Sequence, residues 1–331
     1  DLDEKRRTVP PPPRGGDRAG PPLVVPEFYS EASNAAKVLP PVRFIVDKLL
    51  PVGAALLSAP PKIGKTWLNF GLGRAVATGE PFCGSLPVER GPVLFLDLEG
   101  NERRAKLRAA MVRGTDDPSE LFKLVHEWPR MDRGGLEMLE AAIVREGARV
   151  AIVDVWALFR APRPKNADPY QWDLEQAKLV SAVAHRTGTA IVVTHHNKKA
   201  AEDDWVSEAS GSAGLSGGLD TLIGLKRGRA NADAVLRVTG RDIVEESELA
   251  MSFKDGRWSI LGTALDVLMS KTRQTIHSTL AFNGRPMKPA QVAEATDLSR
   301  DLVRKTLHRM LRDGSVKVDS AGGYSAAPGT G

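Results

Sequence analysis

The chain has 331 residues, 42% of them hydrophobic, with 46 Lys or Arg against 41 Asp or Glu and a formal charge of +5. That length suits two domains or one large one, and the weak positive balance leans toward an anionic partner. The single cysteine, Cys83, excludes an internal disulfide and fits a reducing cytoplasm; with no apolar run of roughly 18 residues, no membrane-spanning helix is expected.

Residues 1–30 contain DLDEKRRTVPPPPRGGDRAGPP, rich in Pro, Gly and Arg and without the apolar centre of a signal peptide. So little apolar surface cannot offset the entropy of ordering, and a disordered linker is expected, with room for a further domain ahead of it. The pattern changes over residues 31–262. GAALLSA is a short apolar strand running into a loop, and KTWLNFGLGRAVATG has helical spacing. GPVLFLDLEG is a buried strand, ERRAKLRAAMVRG an amphipathic helix closed by Gly114, LFKLVHE a strand and GGLEMLEAAIVREG a helix. ARVAIVDVWALF, DLEQAKLVSAVAHRTG and TAIVVTHH read as strand, helix and strand. Apolar strands alternating with helices predict an α/β fold with a mostly parallel central sheet. LDTLIGLKR, DAVLRVTGR, ELAMSF and RWSI then follow as short segments between turns, an expected antiparallel extension. Residues 263–331 return to helices: DVLMSKTRQTIHSTLAFNG, KPAQVAEATD, and SRDLVRKTLHRMLRDG, which opens on Ser299 and stops at Gly314. SVKVDSAGGYSA reads as a hairpin. Three helices and a hairpin predict a small C-terminal winged-helix domain.

SAPPKIGKT, residues 58–66, nearly matches the phosphate-binding pattern G-x-x-x-x-G-K-S/T. Gly64, Lys65 and Thr66 satisfy it. Ala59 stands at the first glycine, which costs backbone freedom at the loop's entry, and Pro60 and Pro61 remove two donors while stiffening the chain. The amides of Lys62, Ile63, Gly64, Lys65, Thr66 and the adjoining Trp67 sit where a helix N-terminus would bind phosphate. Lys65 would pair with the β- and γ-phosphates, and the Thr66 hydroxyl would hold Mg²⁺, so ATP and Mg²⁺ are the expected cofactors. Asp154, at the end of VAIVD, is the expected second group of the Mg²⁺ shell, acting through water. Glu99 in LFLDLEG is placed to polarise the attacking water, with Asp97 as the alternative base and helix capping as the alternative use of Glu99. IVVTHHNKK brings His195 or His196 to a strand end where a side chain can sense the γ-phosphate. Adjacent histidines point to opposite sides of a strand, which argues against a metal pair.

Taken in order, the loop, LFLDLEG, VAIVD, VVTHHNKK, GSAGLSGGLDTLIGLKR and VLRVTGRD resemble the RecA-like P-loop NTPase core of hexameric replicative helicases of the plasmid RepA, phage and DnaB type, over residues 37–260. The resemblance implies an ATP-dependent DNA helicase or translocase of a plasmid, phage or integrated element; the alternative is a DNA-binding ATPase that regulates or loads without unwinding. It maps the base onto Glu99 and the sensor onto His195. It maps an arginine finger, serving a neighbouring subunit's ATP, onto Arg241, with Arg227 and Arg229 next in order. A homo-oligomeric, hexameric ring is implied, with single-stranded DNA in its channel and a primase or replication initiator as further partners. Channel contacts are expected from Arg160, Arg163 and Lys165 after VAIVD, and from Lys198 and Lys199 after the histidines. Duplex contacts are expected from Arg300, Arg304 and Lys305 on the helix that follows Ser299. The family usually keeps the first loop glycine where this chain has Ala59.

Overall fold

The structure, a computed structural model, describes residues 27–196, 213–228 and 232–327. The chain divides between Pro41 and Val42, later than the boundary at residue 30 expected from composition. In the N-terminal unit, helix α1 (Glu31–Ala35) starts at Ser30, whose hydroxyl accepts from the Ser33 amide.

The second unit opens with β1 (Phe44–Val46), β2 (Leu50–Pro51), β3 (Gly53–Ala59) and helix α2 (Lys65–Thr78). Next come β4 (Val93–Asp97), α3 (Glu102–Arg113), β5 (Phe122–Val125), α4 (Gly135–Glu146), β6 (Val150–Asp154) and the single turn α5 (Trp156–Phe159). Helix α6 (Pro169–Thr187) leads to β7 (Ala190–His196), and α7 (Ala213–Gly218) to β8 (Thr221–Arg227), β9 (Ala234–Gly240), β10 (Ser247–Lys254) and β11 (Arg257–Thr263).

Nine of the described strands form one sheet in the order β11-β10-β9-β8-β3-β7-β6-β4-β5. The strands from β8 to β5 in that order are parallel, and β9, β10 and β11 are antiparallel. The antiparallel extension thus starts one strand later than the sequence pattern suggested. β8 pairs in parallel with β3, Leu57 opposite Ile223, because the connection from β7 contains α7 and is long enough to bring the chain back in the same sense.

Strand alternation sorts the side chains into two cores. Ala55, Leu57 and Ala59 of β3 join Leu68, Phe70, Leu72 and Val76 of α2 on one face. Ala54 and Leu56 join Leu139, Ile143, Val180 and Ala184 of α4 and α6 on the other. The same parity decides where the acids go. Asp97 follows Val93 and Phe95, and Asp154 follows Val150 and Ile152, all four on the α2 face, so both carboxylates emerge on the side of α2.

Beyond β11 the chain forms α8 (Ala264–Asn283), α9 (Pro289–Thr296), α10 (Arg300–Arg312) and the antiparallel pair β12 (Val316–Val318) and β13 (Tyr324–Ala326). Thr263 caps α8 by accepting from the Asp266 amide, and Ser299 caps α10. Ile276, Leu280, Val292, Val303, Leu307 and Met310 close a third core here. No helix among the described residues is long and apolar enough to cross a membrane.

Candidate nucleotide site

β3 ends at Ala59 and α2 begins at Lys65, with Gly64 as its N-cap. Gly64 has φ of 109°, and a Cβ there would stand 3.0 Å from Trp258 Cζ2, so a side chain would be strained and press on the Trp258 ring. Ala59 is the last residue of an extended strand and lies outside the positive-φ set. The freedom of a first glycine is therefore not used, and the backbone cost expected at Ala59 does not arise. The left-handed position falls instead at Lys62, with φ of 64°. Lys65 Nζ donates to the Ala59 carbonyl at 2.6 Å and to that of Pro60 at 3.0 Å. Burial lowers its pKa to about 8, against the pull of Asp154 and Glu99.

Asp154 is 2% exposed. Thr66 and Asn69 hydrogen-bond it, while its Oδ2 has no partner among the described residues. Burial raises its pKa, the Thr66 and Asn69 bonds lower it, and the nearby Asp97 and Glu99 add to the rise. Asn69 also donates to Thr194 Oγ1 at 2.8 Å, which ties α2 to β7. Asp97 is in register with Asp154 across β4 and β6. Its carboxylate has no side-chain hydrogen-bond partner among the described residues, and burial raises its pKa against Arg108, His126 and Arg104. A Cβ on Gly100 would come within 1.9 Å of Asp97 Oδ2, so the turn after β4 closes tightly over this acid.

That turn holds Glu99 in the open. Its amide donates to the Asp154 carbonyl at 3.3 Å, and its side chain is 51% exposed. Helix capping is not its task, because Asn101 caps α3 through Oδ1 to the Arg104 amide at 2.9 Å. Of the two candidate bases, Glu99 is the one water reaches, and Asp97 is walled in.

The histidines divide as the strand pleat requires. His196 Nε2 lies 3.5 Å from Glu99 Oε1. His195 shares the strand face of Ile191 and Val193, which belong to the α6 core, and its Nδ1 lies 2.8 Å from the His196 carbonyl. Burial lowers the His195 pKa to about 4, helped by His196 and Arg160. Of the two histidines, His196 and not His195 is the one that stands beside Glu99.

Arg241 stands elsewhere. Its guanidinium binds Asp220 Oδ1 and the Gly217 carbonyl, each at 3.1 Å. Asp220 is 4% exposed and accepts from Ala54 N, Ser181 and His185. Burial alone would raise the Asp220 pKa, and these bonds outweigh it to leave the pKa lowered. Ala54 is the second residue of β3, and the loop follows Ala59, five residues or about 17 Å further along the strand. Arg241 therefore cannot reach this chain's own loop.

Of the cations expected on DNA, Arg160 is committed to Asp173 Oδ1 at 2.7 Å, and this internal pairing runs against its assignment as a channel contact. Arg163 and Lys165 are exposed on the loop after α5. Lys198, Lys199 and the candidate finger Arg229 lie outside the described residues. Arg304 and Lys305 pair with Asp301 on the exposed face of α10, where Arg300 is also exposed. Trp67, expected beside the nucleotide, packs 6.0 Å from Phe253 with Arg108 over its ring.

The family model described as AAA domain matches residues 21–202. The chain belongs to the AAA-domain family. No curated protein matches it. Among solved structures it is similar to the ATPase domain of G40P, at 13% identity, covering 63% of this chain and 85% of that one, with a TM-score of 0.48. The fold is of the α/β class with a mostly parallel central sheet.

One residue that completes this AAA domain's loop lies beyond the matched segment. Trp258 Nε1 donates to the Gly64 carbonyl at 3.2 Å, and its ring packs 4.9 Å from Phe253. The edge hairpin β10–β11 thereby curls back over the start of α2. Nothing local to RWSI in the sequence signals this contact, which spans 194 positions. Asn69 was equally hidden, although its place one helical turn after Thr66 on the buried face of α2 offered a clue.

Proposed function

We propose that this protein is an ATP-dependent DNA helicase or translocase, working as a homo-oligomeric ring in the replication of a plasmid, phage or integrated element. The observation that supports it is the convergence of Lys65, Thr66, Asp154, Glu99 and His196 at the C-terminal ends of β3, β4, β6 and β7. The amides of residues 62–67 receive the phosphates at the N-terminus of α2, and the Lys65 ammonium leaves two backbone carbonyls to neutralise them. Mg²⁺ fits the residues present: the Thr66 hydroxyl and the unpartnered Asp154 Oδ2 are hard oxygen donors facing the same place. When bound, the ion supplies charge neutralisation on the phosphates.

Glu99 takes the proton of the attacking water, and its exposure lets that water in. His196, beside Glu99, reports the γ-phosphate to β7 and to the chain that follows it. Arg241 serves a neighbour's nucleotide, an assignment supported by its distance from its own loop. We read the module from Thr263 as a winged helix that holds duplex DNA through Arg300, Arg304 and Lys305, and the basic side chains of Arg163, Lys165, Lys198 and Lys199 as tracking a single strand. Strand displacement on forked DNA with ATP, alongside the oligomer's mass, tests the proposal. ATP-dependent unwinding by a multimer is expected. DNA-stimulated hydrolysis without unwinding would make the protein a regulator or loader instead.

A further inference from the structure

The C-terminal ends of β4 and β5 border a cleft of about 410 Å³ that the nucleotide site does not use. Leu98, His126, Trp128, Arg130, Arg133 and Leu158 line it, together with Glu127. Its volume falls within the roughly 300–1,000 Å³ of ligand sites. Two kinds of surface meet there. Leu98, Leu158 and the Trp128 indole are apolar and suit a flat ring, while Arg130 and Arg133 offer planar guanidiniums. Neither arginine has an ion pair among the described residues. The acids nearby, Glu127 and Asp132, are exposed to water, where their charge is screened.

The lining is held in place. Trp128 Nε1 donates to the Gly135 carbonyl at 2.9 Å, and Met131–Arg133 form a 3-10 turn. One wall leads back to the nucleotide site. His126 Nδ1 lies 3.3 Å from the Asp97 carbonyl and 3.7 Å from Asp97 Oδ2. Asp97 in turn stands in register with Asp154 and two residues before Glu99.

We infer that this cleft binds a nucleotide unit of single-stranded nucleic acid, its phosphate on Arg130 and Arg133 and its base against Trp128. His126 then links occupancy of the cleft to the Asp97–Asp154 end of the ATP site. The inference rests on the DNA-directed reading above. Guanidinium forks match phosphate, and an aromatic face stacks on any base without regard to sequence. A duplex keeps its bases stacked inside and would leave the Trp128 wall unused.

The test is binding of a labelled oligothymidylate to the full chain across a salt series, comparing wild type with Arg130→Ala/Arg133→Ala. The double variant is expected to bind at least about tenfold more weakly. Its log–log salt slope should shrink by roughly 0.7 per arginine. DNA-stimulated hydrolysis should fall, while DNA-free hydrolysis and binding of a fluorescent ATP analogue stay unchanged. Arg133→Glu alone, at an exposed position, carries the test if the double variant loses its fold. Equal oligonucleotide affinity in wild type and variants would overturn the cleft and leave the DNA-directed reading standing. A wild type that binds no oligonucleotide would overturn both. Displacement of the oligonucleotide by equimolar thymidine monophosphate would overturn the strand assignment in favour of a free nucleotide.

Discussion

Lys65 is poised by two opposing influences: burial, which disfavours its charge, and the acids Asp154 and Glu99, which favour it. With its pKa at about 8, the side chain is charged at neutral pH and loses its proton just above. The neutral amine cannot pair with phosphate, so ATP affinity should fall as pH rises past about 8 and stay flat below it. Titration of a fluorescent ATP analogue between pH 6.5 and 9.5 measures this, and an unchanged affinity across that range would contradict it. The two candidate bases separate by access. Glu99→Gln should bind ATP and Mg²⁺ normally and hydrolyse on the order of 10²-fold more slowly, since an amide takes no proton. Should Asp97→Asn be the crippling change and Glu99→Gln the mild one, the roles are reversed. Asp154 and Glu99 could be read from sequence because each closes an apolar strand, and Lys65 and Thr66 because they complete the loop pattern between an apolar strand and a helix. The choice between His195 and His196 could not, since alternation separates them without saying which side α2 covers.

Elements show why the remaining site residues were hidden. Strands β3 to β7 follow local patterning, and β3, which runs into the loop, lies between β7 and β8 in the parallel part of the sheet. The edge strands do more than extend it. Curling β10–β11 onto α2 sets Trp258 against Gly64, a contact fixed by sheet topology and not by any neighbouring residue. Trp258→Phe keeps the ring in the aromatic cluster with Phe253 and Trp67 but deletes the donor. Loss of one such bond costs about 1 kcal/mol, so nucleotide binding should weaken about fivefold with the melting temperature little changed. A variant that melts early yet binds ATP normally would make Trp258 a packing residue only. Ala59→Gly should leave hydrolysis within a few-fold, because Ala59 already adopts the extended geometry its place requires.

At the scale of the whole molecule, two features point outward from the fold. The third core, from α8 to β13, shares no residue with the cores around the sheet, and the loop, acids and histidines all precede it. Truncation before Thr263 should therefore weaken duplex DNA binding while basal hydrolysis persists. Loss of hydrolysis in a folded, still oligomeric truncation would make the module part of the motor. The other feature is Arg241, held by Asp220 at the end of the sheet away from the loop. Its sequence motif suggested a finger, but only the fold shows that its own nucleotide is out of reach.

The central claim is that this loop hydrolyses ATP when a neighbour's Arg241 completes it. Mixing Lys65→Ala with Arg241→Ala protein, each inactive alone, tests that claim most directly. Hydrolysis should return in mixed oligomers, where an intact Lys65 faces an intact Arg241. No recovery, with subunit exchange demonstrated by mass, would contradict it.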